Sequence, residues 1–274
     1  MTIGSKVIIR ASEYDAFIGK VGVIEGMAPN GNDTTIYKVR VGDMILPGWF
    51  GDEHLAAQPR TFTTLIFDLD GTLTDSGEGI MRCAQYALQK MGIPVNDHHS
   101  LRPFVGPPLE DSFKTLFNFS DEQAAQAVSY YRERYFSKGV YEQSLYPGAK
   151  EMLEELKKNG YRLAIGTSKM LSQTTYVLDY LGIREYFDTI GARDEKGLLH
   201  TKADVLNSLL NNMGMSYSKN DCVMIGDRRY DVEGARQVGI KSIGVLWGYG
   251  DELELRSAKA DYLATDFKQL SSLL

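Results

Sequence analysis

From Thr61 onward, short unbroken apolar runs alternate with longer segments of helical period, and no other feature narrows the possible folds as much. The runs are TLIFD, RLAIGT, FDTIGA, CVMIGD and SIGVLW. A strand with one wet face alternates apolar and polar residues, because successive side chains point to opposite faces. An unbroken apolar run is therefore a strand buried on both faces. Helical stretches such as GAKEMLEELKKNG and TKADVLNSLLNNMG stand between the runs. This alternation predicts an α/β core of Rossmann-like type, a parallel sheet with crossover helices on both sides.

One interval breaks the pattern. Between TLIFD and YRLAIGTS the chain offers no strand candidate, and GIMRCAQYALQKMG, PLEDSFKTLF and DEQAAQAVSYYRERYFSKG carry helical spacing instead. Residues 77–146 are thus predicted to be a helical insertion, with the core formed by 60–76 and 147–274. Residues 1–59 follow a third grammar. KVIIR, GKVGVIEG, IYKVRVG and MILPGWF are β-favouring, and APNGND supplies a turn. These residues predict a small β-rich domain, similar in its turn-strand units to SH3-like barrels. The stretch Ala57-Gln58-Pro59-Arg60 has the character of a linker.

Charge argues against two classes of partner. The first sixty residues hold 6 basic against 7 acidic side chains, and the whole chain carries a net charge of −6. Neither attracts nucleic acid or an anionic membrane. No apolar run approaches the ~18 residues of a membrane span, and MTIGSKVIIR lacks the apolar stretch of a signal peptide. The expected location is the cytoplasm. Cys83 and Cys222 sit in apolar surroundings and are expected to be buried, reduced thiols. His54, His98, His99 and His200 have no metal-ligand spacing, and His98-His99 reads as an exposed loop. No P-loop or dinucleotide fingerprint is present, and WGYGDEL at 247–253 is expected to line the rim of a site.

Three of the buried runs end on polar residues: Asp68, Thr167-Ser168 and Asp227. Ligands of open parallel sheets bind beyond the carboxyl ends of the strands, so these ends are predicted to share one site. Asp70 follows Asp68 by two positions and so falls on the same face of an extended chain. Two carboxylates held that close repel, and the arrangement calls for a cation or a shared proton.

These residues carry a family resemblance. DLDGT at 68–72 resembles the first motif of the haloacid dehalogenase-like phosphatases, and GTSK at 166–169 the second. Lys202 in HTKADVL resembles the third motif, and GDRRYD at 226–231 the fourth. The resemblance implies that Asp68 attacks phosphorus and forms an aspartyl-phosphate. It implies that Asp70 protonates the leaving alcohol and later activates water. Thr167 would hydrogen-bond the phosphoryl oxygens, with Ser168 beside it, and Lys202 would neutralise charge on them and on Asp68. Mg²⁺ would be held by Asp68, the backbone carbonyl of Asp70, and Asp227. Asp231 would support that metal or anchor Lys202. Gly71 and Thr72 would turn the chain away beside the phosphate. The resemblance also implies that dehalogenases lack an acid at position 70 and use no metal, so phosphate chemistry is favoured.

The helical insertion lies where this family carries a cap. Arg102 and Lys114, in RPFVGPPLEDSFK, are candidates to meet a substrate anion, and Phe104 and Phe113 to stack on a base. RPFVGPPLEDSFK and residues 226–250 are similar to 5′-nucleotidase-like and phosphoglycolate-phosphatase-like members. The expected substrate is a nucleoside monophosphate, with phosphoglycolate or another small phosphate ester as the alternative. A phosphomutase, a phosphonatase or a non-catalytic regulatory homologue are further readings. Nothing marks Lys114 as the Schiff-base lysine that a phosphonatase needs.

Overall fold

The structure, a computed structural model, describes residues 3, 6–9, 17, 20–30, 34–51, 54–57, 62–194, 197–215 and 218–274. It divides into two compact units, Met1–Arg60 and Thr61–Leu274. The first is an antiparallel sheet of β1 (Lys6–Ile9), β2 (Val21–Pro29), β3 (Thr35–Val41), β4 (Met44–Ile45) and β5 (Leu55–Ala57), in the order β4-β3-β2-β1-β5. Tyr37 and Val39 of β3 alternate with less buried neighbours, the period expected of a sheet with one covered face. They pack with Val7, Ile9, Ile24 and Phe50 in a core of their own. The last strand of this unit, β5, returns to pair antiparallel with β1, and among the described residues β4 and β5 are the edges of the sheet. The end of the APNGND turn and the linker residues Gln58-Pro59-Arg60 lie outside the described residues.

The second unit opens with β6 (Thr64–Phe67) and the short β7 (Thr74–Asp75). The insertion follows as α1 (Gly77–Lys90), a 3-10 helix (His98–Phe104), α2 (Leu109–Phe117) and α3 (Asp121–Ser137). Its return strand β8 (Ser144–Leu145) pairs antiparallel with β7. The sequence offers no sign of this two-stranded neck, because two residues carry no periodicity. Ser120 starts α3 in a reciprocal capping box with Gln123, an arrangement that stabilises a helix by about 1 kcal/mol. The cap has an aromatic interior in which Phe104 and Phe113 meet edge to face at 4.8 Å. Phe113 is fully buried there, which assigns it to packing and not to a base.

The core continues through α4 (Ala149–Lys158), β9 (Arg162–Met170), α5 (Leu171–Tyr180), β10 (Thr189–Arg193) and α6 (Lys202–Asn212). It ends with β11 (Cys222–Gly226), α7 (Arg229–Val238), β12 (Lys241–Val245), α8 (Glu252–Ser257), β13 (Tyr262–Ala264) and α9 (Phe267–Leu273). Six parallel strands lie in the order β10-β9-β6-β11-β12-β13. Both faces are covered, as the apolar runs require. Leu65 and Phe67 of β6 join one cluster with Leu153 and Leu156 of α4, while Ile66 joins another with Leu206 and Leu209 of α6. Burying each such side chain stabilises the fold by roughly 1.5–3 kcal/mol. β13 is too short to have been recognised in the sequence.

The strand order positions the site. From β6 the chain moves outward through β9 to β10, then returns to the other side of β6 as β11. The direction of winding therefore reverses beside β6, and the crevice beyond its carboxyl end is where such sheets bind ligands. Among the described residues no helix is long and apolar enough to cross a membrane.

Candidate active site

Asp68 follows β6 directly, with its backbone N–H donating 2.9 Å to the carbonyl of Ile225 on β11. Asp227 follows β11 in the same way. The turn after Asp68 depends on Gly71, which has φ +83°, and a Cβ there would lie 2.2 Å from Asp227 Oδ2. Only glycine tolerates both the left-handed backbone and that approach. Thr72 is buried, and its hydroxyl donates to Asp227 Oδ1 at 3.2 Å. Thr72 therefore orients a carboxylate. The loop at 247–253 does more than line a rim. Tyr249 donates its backbone N–H to Asp227 Oδ2 at 2.8 Å, and Trp247 Nε1 donates to the carbonyl of Thr72 at 3.0 Å.

Carboxylate oxygens of Asp68, Asp227 and Asp231 lie within 4.8 Å of one another, and all three residues are buried. Lys202 is the cation among them, with Nζ 3.0 Å from Asp68 Oδ1, 2.7 Å from Asp231 Oδ1, and donating to the carbonyl of Gly166 at 2.9 Å. Burial opposes the charge on Lys202, but Asp231 and Asp68 outweigh it and hold the ammonium above its usual range. The acids are strained electrically. Burial, with Asp231 and Asp68 nearby, pushes Asp227 up to about 8. Burial and Asp68 push Asp231 up to about 6 against the pull of Lys202. Three buried acids against one lysine leave negative charge uncompensated. An all-oxygen, electron-rich cluster of this kind fits Mg²⁺, a hard cation that takes oxygen ligands.

Thr167 and Ser168 stand near the end of β9 and line a partly open cleft with Asp68 and Asp70. The sequence reading overlooked Lys169, although it lies inside the GTSK motif. Two positions beyond Thr167, it extends to the same face, and its Nζ lies 2.7 Å from Asp70 Oδ2 and 5.0 Å from the centre of the Tyr135 ring. Asp70 Oδ1 remains buried without a hydrogen-bond partner. The cleft's other walls include Ile80, Phe104, Pro107, Leu109, Tyr131 and Arg132, all from the cap.

Two cap candidates do not join this cleft. Lys114 is exposed and pairs with Asp121 at 2.5 Å. Arg102 is also exposed, donating from Nη2 to the carbonyl of Tyr249 at 3.4 Å with its guanidinium 5.4 Å from that ring. The histidine pair differs from expectation too. His98 begins a 3-10 helix, half-buried, with Nε2 3.1 Å from both oxygens of Glu78, and His99 completes a cluster able to hold a metal. Glu78 lies twenty residues earlier in the chain, so no local spacing reveals the group. Cys83 and Cys222 are free and buried, and burial pushes both thiols up to about 11.

Comparison with known proteins agrees with this geometry. The model of the haloacid dehalogenase-like hydrolases matches residues 65–245. A 5′-nucleotidase of Pseudomonas aeruginosa is 36% identical over 213 residues, covering 78% of this chain and 96% of that protein. A tyrosine-protein kinase PtkA of Mycobacterium tuberculosis is 37% identical over 186 residues, covering 68% of this chain and 62% of its own length. The crystal structure of a predicted phosphatase from Clostridium acetobutylicum superposes with a TM-score of 0.75 at 39% identity, covering 78% of this chain and 98% of that one. The strand-end acids, the lysine between them and the inserted cap are thus features of a known architecture, and the chain belongs to the haloacid dehalogenase-like hydrolases, as a phosphatase of that family.

Proposed function

We propose that the protein hydrolyses nucleoside 5′-monophosphates, with Mg²⁺ bound, through a phosphorylated Asp68. The observation that carries the chemistry is the placement of Asp68 and Asp70 in one cleft, each held by its own buried lysine. Lys202 and Asp231 fix the attacking carboxylate of Asp68, so little reorganisation remains at the moment of reaction. Thr167 and Ser168 offer hydroxyls beside it for the phosphoryl oxygens. Asp70, held by Lys169 through one oxygen, keeps the other for a proton passing to the leaving alcohol and later from water. Asp68, Asp227 and the backbone carbonyl of Asp70 would hold Mg²⁺, and Asp231 would support it. When bound, the ion neutralises charge on the phosphoryl group and on Asp68.

The leaving group is argued from the cleft. Ile80, Phe104, Pro107, Leu109 and Tyr131 give it apolar and aromatic surface. Phosphoglycolate is small and doubly anionic and calls for a tight basic pocket. Lys169, Arg132 and Arg193 also line the cleft, but a flat base suits its apolar walls, and the similarity to a 5′-nucleotidase favours the nucleotide reading. The test is a screen of nucleoside monophosphates, phosphoglycolate, pyrophosphate and sugar phosphates with Mg²⁺ and with EDTA. Acid-quenched enzyme is examined for phosphate on Asp68. Nucleotide turnover that EDTA abolishes, with labelled Asp68, is the expected result. Turnover that survives exhaustive chelation, or label on another residue, rejects the mechanism.

A further inference from the structure

Glu78, His98 and His99 of the cap take no part in the hydrolysis, yet the fold brings them together. Glu78 stands in the first turn of α1, and the two histidines open the 3-10 helix. Asp97 caps that helix and accepts the backbone N–H of His99 at 2.9 Å, which fixes the start of the pair. The two elements share one apolar core through Ile80, Ala84, Leu101 and Phe104, so the three side chains meet across a packed junction. Gln85 adds a second tie, donating from Nε2 to the carbonyl of Val95 at 2.8 Å.

The spacing suits a metal ion. His98 Nε2 lies 3.1 Å from each oxygen of Glu78. Nitrogen and oxygen atoms held about 2.1 Å from one ion are roughly 3.0 Å apart in octahedral and about 3.4 Å apart in tetrahedral geometry. One ligand atom of His99 lies within 4.8 Å of the other two, and its exposed ring closes the remainder by turning about its side-chain bonds. An ion pair with Glu78 needs only His98. The second imidazole, with its ring centre 4.2 Å from that of the first, is what a metal site adds. Arg82, one turn further along α1, holds Glu78 Oε1 and leaves Oε2 for an ion. Ligating carboxylates are ordinarily oriented by such a hydrogen bond.

We infer that Glu78, His98 and His99 form a second metal site, for Zn²⁺ or a similar borderline divalent cation, that staples the start of α1 to the 3-10 helix. Imidazole ligands suit Zn²⁺, Cu²⁺ and Ni²⁺, whereas Mg²⁺ takes oxygen ligands, so this site and the acidic floor of the cleft select different ions. Three protein ligands leave a position for water. Binding removes the proton that His98 Nε2 turns toward Glu78 and releases it to solvent. The staple bears on the cleft, because Ile80, two residues after Glu78, and Phe104, at the end of the 3-10 helix, both line it. No substrate enters this inference, which stands apart from the nucleotide reading.

The experiment is calorimetric titration of the full-length protein with Zn²⁺ in excess Mg²⁺, for the parent and for single variants. His99→Ala, His98→Gln and Glu78→Gln should each weaken Zn²⁺ binding by at least about tenfold. Asp227→Asn, which alters only the floor of the cleft, should leave this affinity within about twofold. Cu²⁺ loaded in place of Zn²⁺ should show nitrogen hyperfine coupling from two imidazoles, a signature that the all-oxygen floor cannot give. A parent that binds no Zn²⁺ overturns the inference, as does binding that Asp227→Asn abolishes. Binding that keeps its full affinity in His99→Ala also overturns it, and the exposure of His99 makes loss of the fold no explanation for a weakened site. Each of these results leaves nucleotide hydrolysis standing.

Discussion

The floor of the cleft and its cap-side wall are built on opposite principles. On the floor, Asp68, Asp227, Asp231 and Lys202 are buried and held by one another, by Thr72 and by backbone groups of the 228 and 249 turns. On the wall, Arg132 and Gln173 have no partner among the described residues. Buried charges are costly unless neutralised, so the floor is over-determined by the core fold around it. Donors on a partly open wall are cheap to leave waiting, so the cap can change its side chains without endangering the sheet. The floor is thus held in place by its own contacts, while the wall leaves polar side chains open.

The sharpest way to break this contrast is Asp68→Asn, which keeps the shape and removes the nucleophile. Turnover should fall by about 10⁴-fold or more, at least ~5 kcal/mol of barrier, without loss of stability. A variant that keeps a tenth of the activity denies the floor its chemical role. Next in size is Lys202→Met, which leaves the neighbouring carboxylates uncompensated. In EDTA it should lower the stability read from urea unfolding by about 3–5 kcal/mol, and Mg²⁺ should restore part of the loss. An unchanged midpoint would mean that the ion pairs contribute nothing to the fold.

A pH series separates floor from wall more gently. Asp227 has its folded pKa raised from 3.8 to about 8, so the folded state holds a proton that the unfolded chain releases. Stability in EDTA should therefore fall as pH rises between those values, because the folded protein binds more protons there. Mg²⁺ should flatten the slope, and Asp227→Asn should remove its share of it. A Tm in EDTA that does not decline from pH 5 to 8 contradicts the burial of an uncompensated acid. The smallest effect is expected at Lys114, which lies outside the cleft and pairs with Asp121 on the cap surface. Lys114→Ala should change kcat/KM by less than about twofold. A larger loss would bring this lysine back into the substrate's path.

The sequence by itself determined the core architecture and which strand ends carry acids, because both follow from local rules. Buried parallel strands must be continuously apolar, and TLIF, LAIG and VMIG place Asp68, Thr167 and Asp227 at ends that only a shared sheet explains. The β-rich character of the first unit was legible in its β-favouring runs and turn, KVIIR, GKVGVIEG, IYKVRVG and APNGND. Tertiary structure alone decided which cap residues face the cleft. RPFVGPPLEDSFK displays two cations, yet Arg102 turns to Tyr249 and Lys114 to Asp121, while Arg132 lines the cleft from a helix with no distinctive motif. A helix shows every side chain in the same sequence grammar, and which of its faces meets the core depends on how the helices of the cap pack. The role of Thr72 toward Asp227 was likewise hidden, because that partner lies 155 residues away. Contacts at that separation exist only after the sheet has brought two strand ends together, and no local pattern encodes them.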